Sequence, residues 1–337
     1  MAEIAEKPKP SRDREVAQRF FRHENAALFT ILIVIIAAIA GITRGVSVTR
    51  SNISHILLRS STTGVASIGQ LFVLLSAGID ISVGGLAAMT MCLGGALVTG
   101  PESGIPGALS QITIPLGVGL LIMFLLGLGI GTVNGSLVSR IRMPPLIVTI
   151  AMWQIARGAA NGISHGARIR HLPTALALLG QQRIGDVPVP FIIFMVVAVV
   201  AYFVLYHTTF GKSVYAVGGN EIGAWLSGIK TSAIKLRVYI ISSLLATLAG
   251  LLIMSRAMIA APASVGSLEL DTIAAVCIGG VSLFGGRGTL IGVVIGVMIL
   301  SVISNGMNVI GLGQAFQDVV RGVIIFAAVA IDVVRRR

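Results

Sequence analysis

Beyond residue 25 the chain carries only eight carboxylates: Asp80, Glu102, Asp186, Glu221, Glu269, Asp271, Asp318 and Asp332. Asp80 is the most demanding of them. It interrupts the apolar run LLSAGIDISVGGLAAM, residues 74–89. A bare charge at the centre of a bilayer costs at least about 2.5–3.5 kcal/mol on insertion scales. Asp80 therefore faces a cavity, pairs with a base, or caps a broken helix by accepting from the free N–H groups of a segment that starts at Ile81. Glu269 and Asp271 precede another short apolar segment, with Glu269 where a loop ends and Asp271 placed as an N-cap. Asp318 and Arg321, three apart on a helix, can pair. Arg157, in MWQIARGAANG, snorkels or bonds backbone carbonyls. Gln70, Ser82, Asn134, Gln154, Asn161, Asn305 and Asn308 place uncharged polar groups at the same depth, where such groups link helices or line a polar route.

Other chemistries lack their residues. His23, His55, His165, His171 and His207 have no metal-ligand spacing, and Cys92 and Cys277 lie in apolar runs as small packing residues. No GxxxxGK[ST] phosphate loop occurs, so ATP is not bound that way. Gly285–Gly286–Arg287–Gly288 reads as a tight turn. The pattern implies no cofactor, no metal and no catalytic centre.

The elements that hold these groups are membrane helices. Of 337 residues, 55% are apolar and 11% charged, against about 25% charged in soluble domains. The 41 glycines suit close helix packing in a bilayer. The reading is an all-α polytopic membrane protein of about ten transmembrane helices, some short or discontinuous. The crossings fall near Ala26–Thr43, Thr63–Ile79, Ile81–Val98, Ile112–Val138, Pro145–Ile163, Pro190–Tyr206, Leu236–Met254, Thr272–Leu283, Leu290–Val309 and Val319–Val334. Residues 1–25 form a cytoplasmic N-terminal tail, 26–334 the transmembrane domain and 335–337 a basic C-terminal end; the first span is read as uncleaved. With both termini cytoplasmic, sixteen Lys and Arg lie inside and seven outside. Arg44, Arg50 and Arg59 go against that rule, and SVTRSNISHILLRSS fits a short interfacial helix. The net charge of +12 serves orientation and lipid headgroups, with no basic helix interleaved with aromatics to point to nucleic acid.

The longest polar stretch on the inside is 207–237. Within it Asn220 can cap a short helix with Glu221 in its first turn. Ala224, Trp225 and Ile229 would form an apolar stripe at helical spacing, and Gly228 ends the helix. This is either a docking element for a cytosolic partner or a helix on the membrane surface. GIDISVGG at 78–85 and LELDTIAAVCIGGVSLFGGRG at 268–288 share a character: both are acid-bearing, glycine-interrupted apolar segments, one in each half. Such paired discontinuities point to a transport pathway.

GIDISVG at 78–84, VGGNEIGAWLSGI at 217–229 and ELDTIAAVCIGGVSLFGGRGTLIG at 269–292 resemble, in order, the permease subunits of ribose-type sugar ABC importers. RGAANG at 157–162 and NGMNVIG at 305–311 fit as well, and the resemblance spans roughly residues 45–334. It implies a membrane homodimer of ten crossings per chain. It also implies a cytoplasmic ATPase subunit and an extracytoplasmic sugar-binding protein as partners. Gly219, Asn220, Glu221, Ala224, Trp225, Gly228 and Ile229 would then form the ATPase-coupling helix, and Gln70, Asp80, Ser82, Asn134, Glu269, Asp271 and Asn305 would belong to the helix break or translocation pathway. The loop APASVGSLELD departs from the glutamine- and proline-rich form of ribose permeases, which leaves ribose itself open. The competing reading is an ion-coupled secondary transporter with Asp80 or Asp271 as its ion site. A membrane enzyme lacks the clustered acids and histidines it would need.

Overall fold

The computed structural model describes residues 12–106 and 111–334; the basic C-terminal end, 335–337, and the first 11 residues lie outside them. Among the described residues the chain forms thirteen α-helices: α1 (Arg12–Ile42), α2 (Arg50–Leu75), α3 (Ser82–Thr99), α4 (Leu116–Ser139), α5 (Pro145–Ser164), α6 (Ala177–Gly180), α7 (Val189–His207), α8 (Thr209–Gly219), α9 (Glu221–Leu226), α10 (Thr231–Ala257), α11 (Leu268–Ile278), α12 (Leu290–Val309) and α13 (Gln314–Val334). The only sheet among them is a hairpin of β1 (Arg183–Ile184) and β2 (Val187–Pro188). Six helices are long and apolar enough by length and composition to cross a membrane.

α2, α3 and α10 form the centre. α10 packs on α4, α2 and α3, and α3 packs on α5. α1 lies along α12, where Leu32 meets Ile299 and Val302, and α13 lies against α11. The outer helices turn apolar side chains outward, including Leu121 and Leu125 on α4 and Val199, Val200 and Phe203 on α7. In lipid no hydrophobic gain separates these surfaces from helix contacts, so packing depends on small residues that let backbones approach. On α4, Gly127, Gly131 and Gly135 recur every four residues. A Cβ at each would strike Thr247, Ile240 with Ser243, and Leu236 of α10 respectively, whereas Gly129 between them faces open space.

The bundle has two distinct ends. At one, the Thr289 hydroxyl donates to Asn25 (3.1 Å), Leu290 N–H donates to the Tyr206 hydroxyl (3.2 Å), and α8 and α9 project. At the other, Ile169 bridges to Ala260, Gln181 donates to the Arg256 carbonyl (3.1 Å) and Arg50 pairs with Asp186 (3.4 Å).

Two expectations change. The stretch 47–61 is no separate interfacial helix: α2 runs unbroken from Arg50 to Leu75, and Arg59 lines a cavity. Asp271 does not cap its helix. α11 begins at Leu268 after Ser267, which places Asp271 inside the first turn, with its carboxylate turned to Arg321 of α13 (3.2 Å).

Candidate functional site

The helix break at residues 76–81 is built by local geometry. After Leu75 the chain leaves the helix at Ser76, and Ala77 takes a left-handed conformation at φ 59°. Gly78 N–H bonds back to the Val73 carbonyl (3.0 Å), closing the end of α2. Asp80 is fully buried. Its Oδ1 accepts from the Ser82 N–H (3.0 Å) and the Ser82 hydroxyl (2.5 Å), and its Oδ2 accepts from the Ser242 hydroxyl (2.7 Å). Among the described residues no base forms an ion pair with it. The carboxylate therefore sits just ahead of α3, next to its N-cap Ile81, where the free N–H groups and the helix dipole favour it.

The break also ties five helices together. Asn134 of α4 donates to the Ser82 hydroxyl (3.0 Å). Tyr239 of α10 and Thr149 of α5 both donate to the Ile79 carbonyl, at 3.2 and 3.4 Å. Gln70, on α2, is fully buried with neither amide atom hydrogen-bonded. It joins no part of this network.

Below the break lies the segment that links it to the projecting helices. Gly286 N–H donates to the Leu75 carbonyl (3.0 Å), and a Cβ at Gly218, in the last turn of α8, would collide with that same carbonyl. The Tyr215 hydroxyl donates to the Gly288 carbonyl (2.9 Å). Burial, with the neighbouring Tyr206, pushes the Tyr215 hydroxyl well above the ordinary tyrosine range, so it remains a neutral donor. One residue further, Asn220 accepts from the Gly223 N–H (2.9 Å) and starts α9, and Glu221 pairs with Lys235 (2.5 Å). Gly219 is the last residue of α8 and directly precedes this cap. Gly228, at φ 84°, and Ile229 close α9 through bonds to the Trp225 and Ala224 carbonyls.

The apolar stripe expected on this helix is differently composed. Ala224 is buried, at 6% exposure, while Ile222 (71%), Trp225 (65%) and Leu226 (72%) are exposed. α9 is six residues long and lies on α8 and α10. Residue 224 consequently faces the bundle, and the outward ridge is formed by residues 222, 225 and 226.

At the opposite end lies a cavity of about 1070 Å³, a little above the usual range of ligand pockets, roughly 300–1,000 Å³. Its wall combines Arg59, Arg157, Arg256 and Arg321 with Glu269, Asp271 and Asp318. Arg321 holds Asp271 (3.2 Å) and Asp318 (3.1 Å). Asn52 and Asn305 exchange amide hydrogen bonds at 2.7 and 3.0 Å. Arg157 donates to the Gly266 carbonyl (3.3 Å) and lies over the Trp153 ring at 5.5 Å. Thus Glu269, Asp271 and Asn305 gather in one cavity, while Asp80, Ser82 and Asn134 gather at the break. Trp153, Tyr239 and Ser242 were not singled out by sequence reasoning, because nothing local distinguishes them from packing residues.

An apolar-coated helical bundle with a charged cavity at one end, a buried polar break inside and an exposed helix at the other end defines a multi-pass membrane permease. The comparisons with known proteins agree. A family described as branched-chain amino acid transport system / permease component matches residues 52–329, and the chain belongs to that family. The ribose import permease protein of Escherichia coli (strain K12) is 36% identical over 288 residues, 84% of this chain and 86% of the relative. The fructose import permease protein of Rhizobium meliloti is 32% identical over 332 residues, 95% and 89% of the two chains. The D-allose transport system permease protein of Escherichia coli (strain K12) is 32% identical over 305 residues, 90% of each. No solved structure matches the chain.

Proposed function

We propose that this chain is the transmembrane permease subunit of a binding-protein-dependent ABC importer that carries a monosaccharide or similar small polyhydroxy compound across the inner membrane. The observation that carries the reading is the near full-length similarity to permeases whose names specify ribose, fructose and D-allose. ATP is hydrolysed by a partner subunit on the cytoplasmic side, and the sugar arrives on an extracytoplasmic binding protein. Two copies of the chain form the channel.

In this reading ten helices cross the bilayer: α1 to α5, α7, α10, α11 as a short one, α12 and α13. Both termini are cytoplasmic, which places α8 and α9 on the side of the ATPase and the charged cavity on the side of the binding protein. Ile222, Trp225 and Leu226 dock into the ATPase. Gly218, Gly286 and the Leu75 carbonyl carry its movement to the break at Asp80. Asp80, Ser82 and Asn134 hold the break, and Glu269, Asp271 and Asn305 line the entry to the pathway. The direct test is purification of the permease with its binding protein and mass-spectrometric identification of the solute that protein retains. A monosaccharide or polyol supports the reading. A branched-chain amino acid would replace the sugar, and the absence of any binding protein or ATPase partner would overturn the importer.

A further inference from the structure

The two acid-bearing motifs meet in the wall of the cavity. Glu269, at the start of α11, is buried to 6% exposure, and its Oε2 rests on Gly84 of α3. A Cβ at 84 would occupy the place of that oxygen. The adjacent Gly85 admits the backbone of Trp153 from α5, so that a Cβ at 85 would fall 2.6 Å from the Trp153 carbonyl oxygen. Two successive glycines thereby bring a carboxylate and an indole side by side. The Trp153 indole, the Arg157 guanidinium and the Asp271 carboxylate are the side chains that act on the Glu269 carboxylate.

The pair is buried and unsatisfied. Neither the Trp153 Nε1 nor the Glu269 Oε2 completes a hydrogen bond, although both residues line the cavity. One is an obligate donor and the other an acceptor, and buried polar groups without partners are costly. A single hydroxyl satisfies both at once, accepting from the indole N–H and donating to the carboxylate. Arg157, anchored at the Gly266 carbonyl, supplies further donors beside them for a neighbouring hydroxyl oxygen. The set matches a vicinal diol better than a monovalent ion, which has no use for an indole N–H, or an amino acid, whose carboxylate Glu269 would repel.

We propose that Glu269, Trp153 and Arg157 form a hydroxyl-binding station for the sugar on its way through the permease, reached when the carboxylate turns from Gly84 toward the cavity. The inference rests on the sugar-import reading above and adds the residues that contact the cargo.

The chain has two tryptophans, Trp153 and Trp225. Full-length permease carrying Trp225→Phe in lipid nanodiscs leaves Trp153 as the sole indole reporter. Titration with D-ribose, D-fructose and D-allose should give a saturable change in its fluorescence with at least one sugar. Glu269→Gln in that background should weaken it about tenfold or more, as expected for loss of a charged hydrogen bond. In the assembled importer, Glu269→Gln and Trp153→Phe should each lower sugar uptake by a similar factor while the permease still binds its ATPase. Absence of any saturable change overturns the station whatever the variants do, since residues 153 and 269 are unaltered in that measurement. Uptake by both variants equal to the parent, in an importer that transports sugar, overturns the station and leaves the importer reading standing. A parent importer that transports no sugar overturns both.

Discussion

Replacing Asp80 separates a helix cap from a coupled ion site. The carboxylate accepts three hydrogen bonds, from the Ser82 N–H, the Ser82 hydroxyl and the Ser242 hydroxyl, and it is fully buried. In Asp80→Asn the amide oxygen still accepts both bonds from Ser82. The amide nitrogen then faces Ser242, whose hydroxyl can rotate and accept instead. The net loss should be no more than about 1–2 kcal/mol, that of weakened hydrogen bonds. Asp80→Leu leaves three buried donors without an acceptor. At about 1–3 kcal/mol for each unsatisfied group, with the hydroxyls partly able to turn elsewhere, the loss is about 3–6 kcal/mol. That is a large share of the stability of an ordinary domain, about 5–15 kcal/mol. Size-exclusion chromatography and thermal unfolding of detergent-purified variants read the stability, and vesicle uptake reads the function. Asn should assemble and transport close to the parent level, whereas Leu should lose assembly and with it transport. Equal tolerance of Leu and Asn would refute the capping argument. Normal assembly of the Asn variant with transport abolished would instead identify Asp80 as an ion-coupling carboxylate.

Three further outcomes follow from the same geometry. Gly84→Ala puts a methyl group where the Glu269 carboxylate lies, so it should cost about 1–3 kcal/mol of stability and reduce uptake, read by thermal unfolding and transport; parental values in both would show that the carboxylate has another place to go. Leu226→Asp on the exposed ridge of α9 should weaken capture of the ATPase subunit without lowering the unfolding temperature of the permease, whereas Ala224→Trp should lower that temperature because residue 224 is buried against its own bundle. Gly131→Leu should destabilise the permease by about 1–3 kcal/mol or more by forcing α4 off Ile240 and Ser243, while Gly129→Leu should be neutral, and the two unfolding curves compare them directly.

The membrane class and the helical character were legible from composition alone, since hydrocarbon admits few backbone solutions. The short helix α9 was legible because Asn220 is a local signal: its side chain accepts from a backbone N–H three residues on. The direction in which Ala224 faces was not, because a helix of six residues takes its orientation from the elements under it and carries too few turns to display a periodicity. Asp80 announced itself by chemical type, yet its partner Ser242 lies 162 residues away and is one serine among many. The meeting of Glu269 with Gly84 was hidden for a similar reason. The resemblance in character between their two motifs was visible, but no sequence spacing states that they touch. The arginines at 50 and 59 misled because an excess of charge on the outer side was read as a short interfacial helix, whereas Arg50 opens the long helix α2 and Arg59 lines a cavity along it.

The central claim is sugar import driven by ATP on a partner subunit. It is tested most directly in proteoliposomes that hold the permease and its ATPase, supplied externally with the binding protein and radiolabelled monosaccharide. The account predicts uptake that needs ATP on the ATPase side and the binding protein on the other, and that persists after ionophores collapse proton and sodium gradients. Uptake by the permease alone that follows an imposed ion gradient and ignores ATP would contradict it.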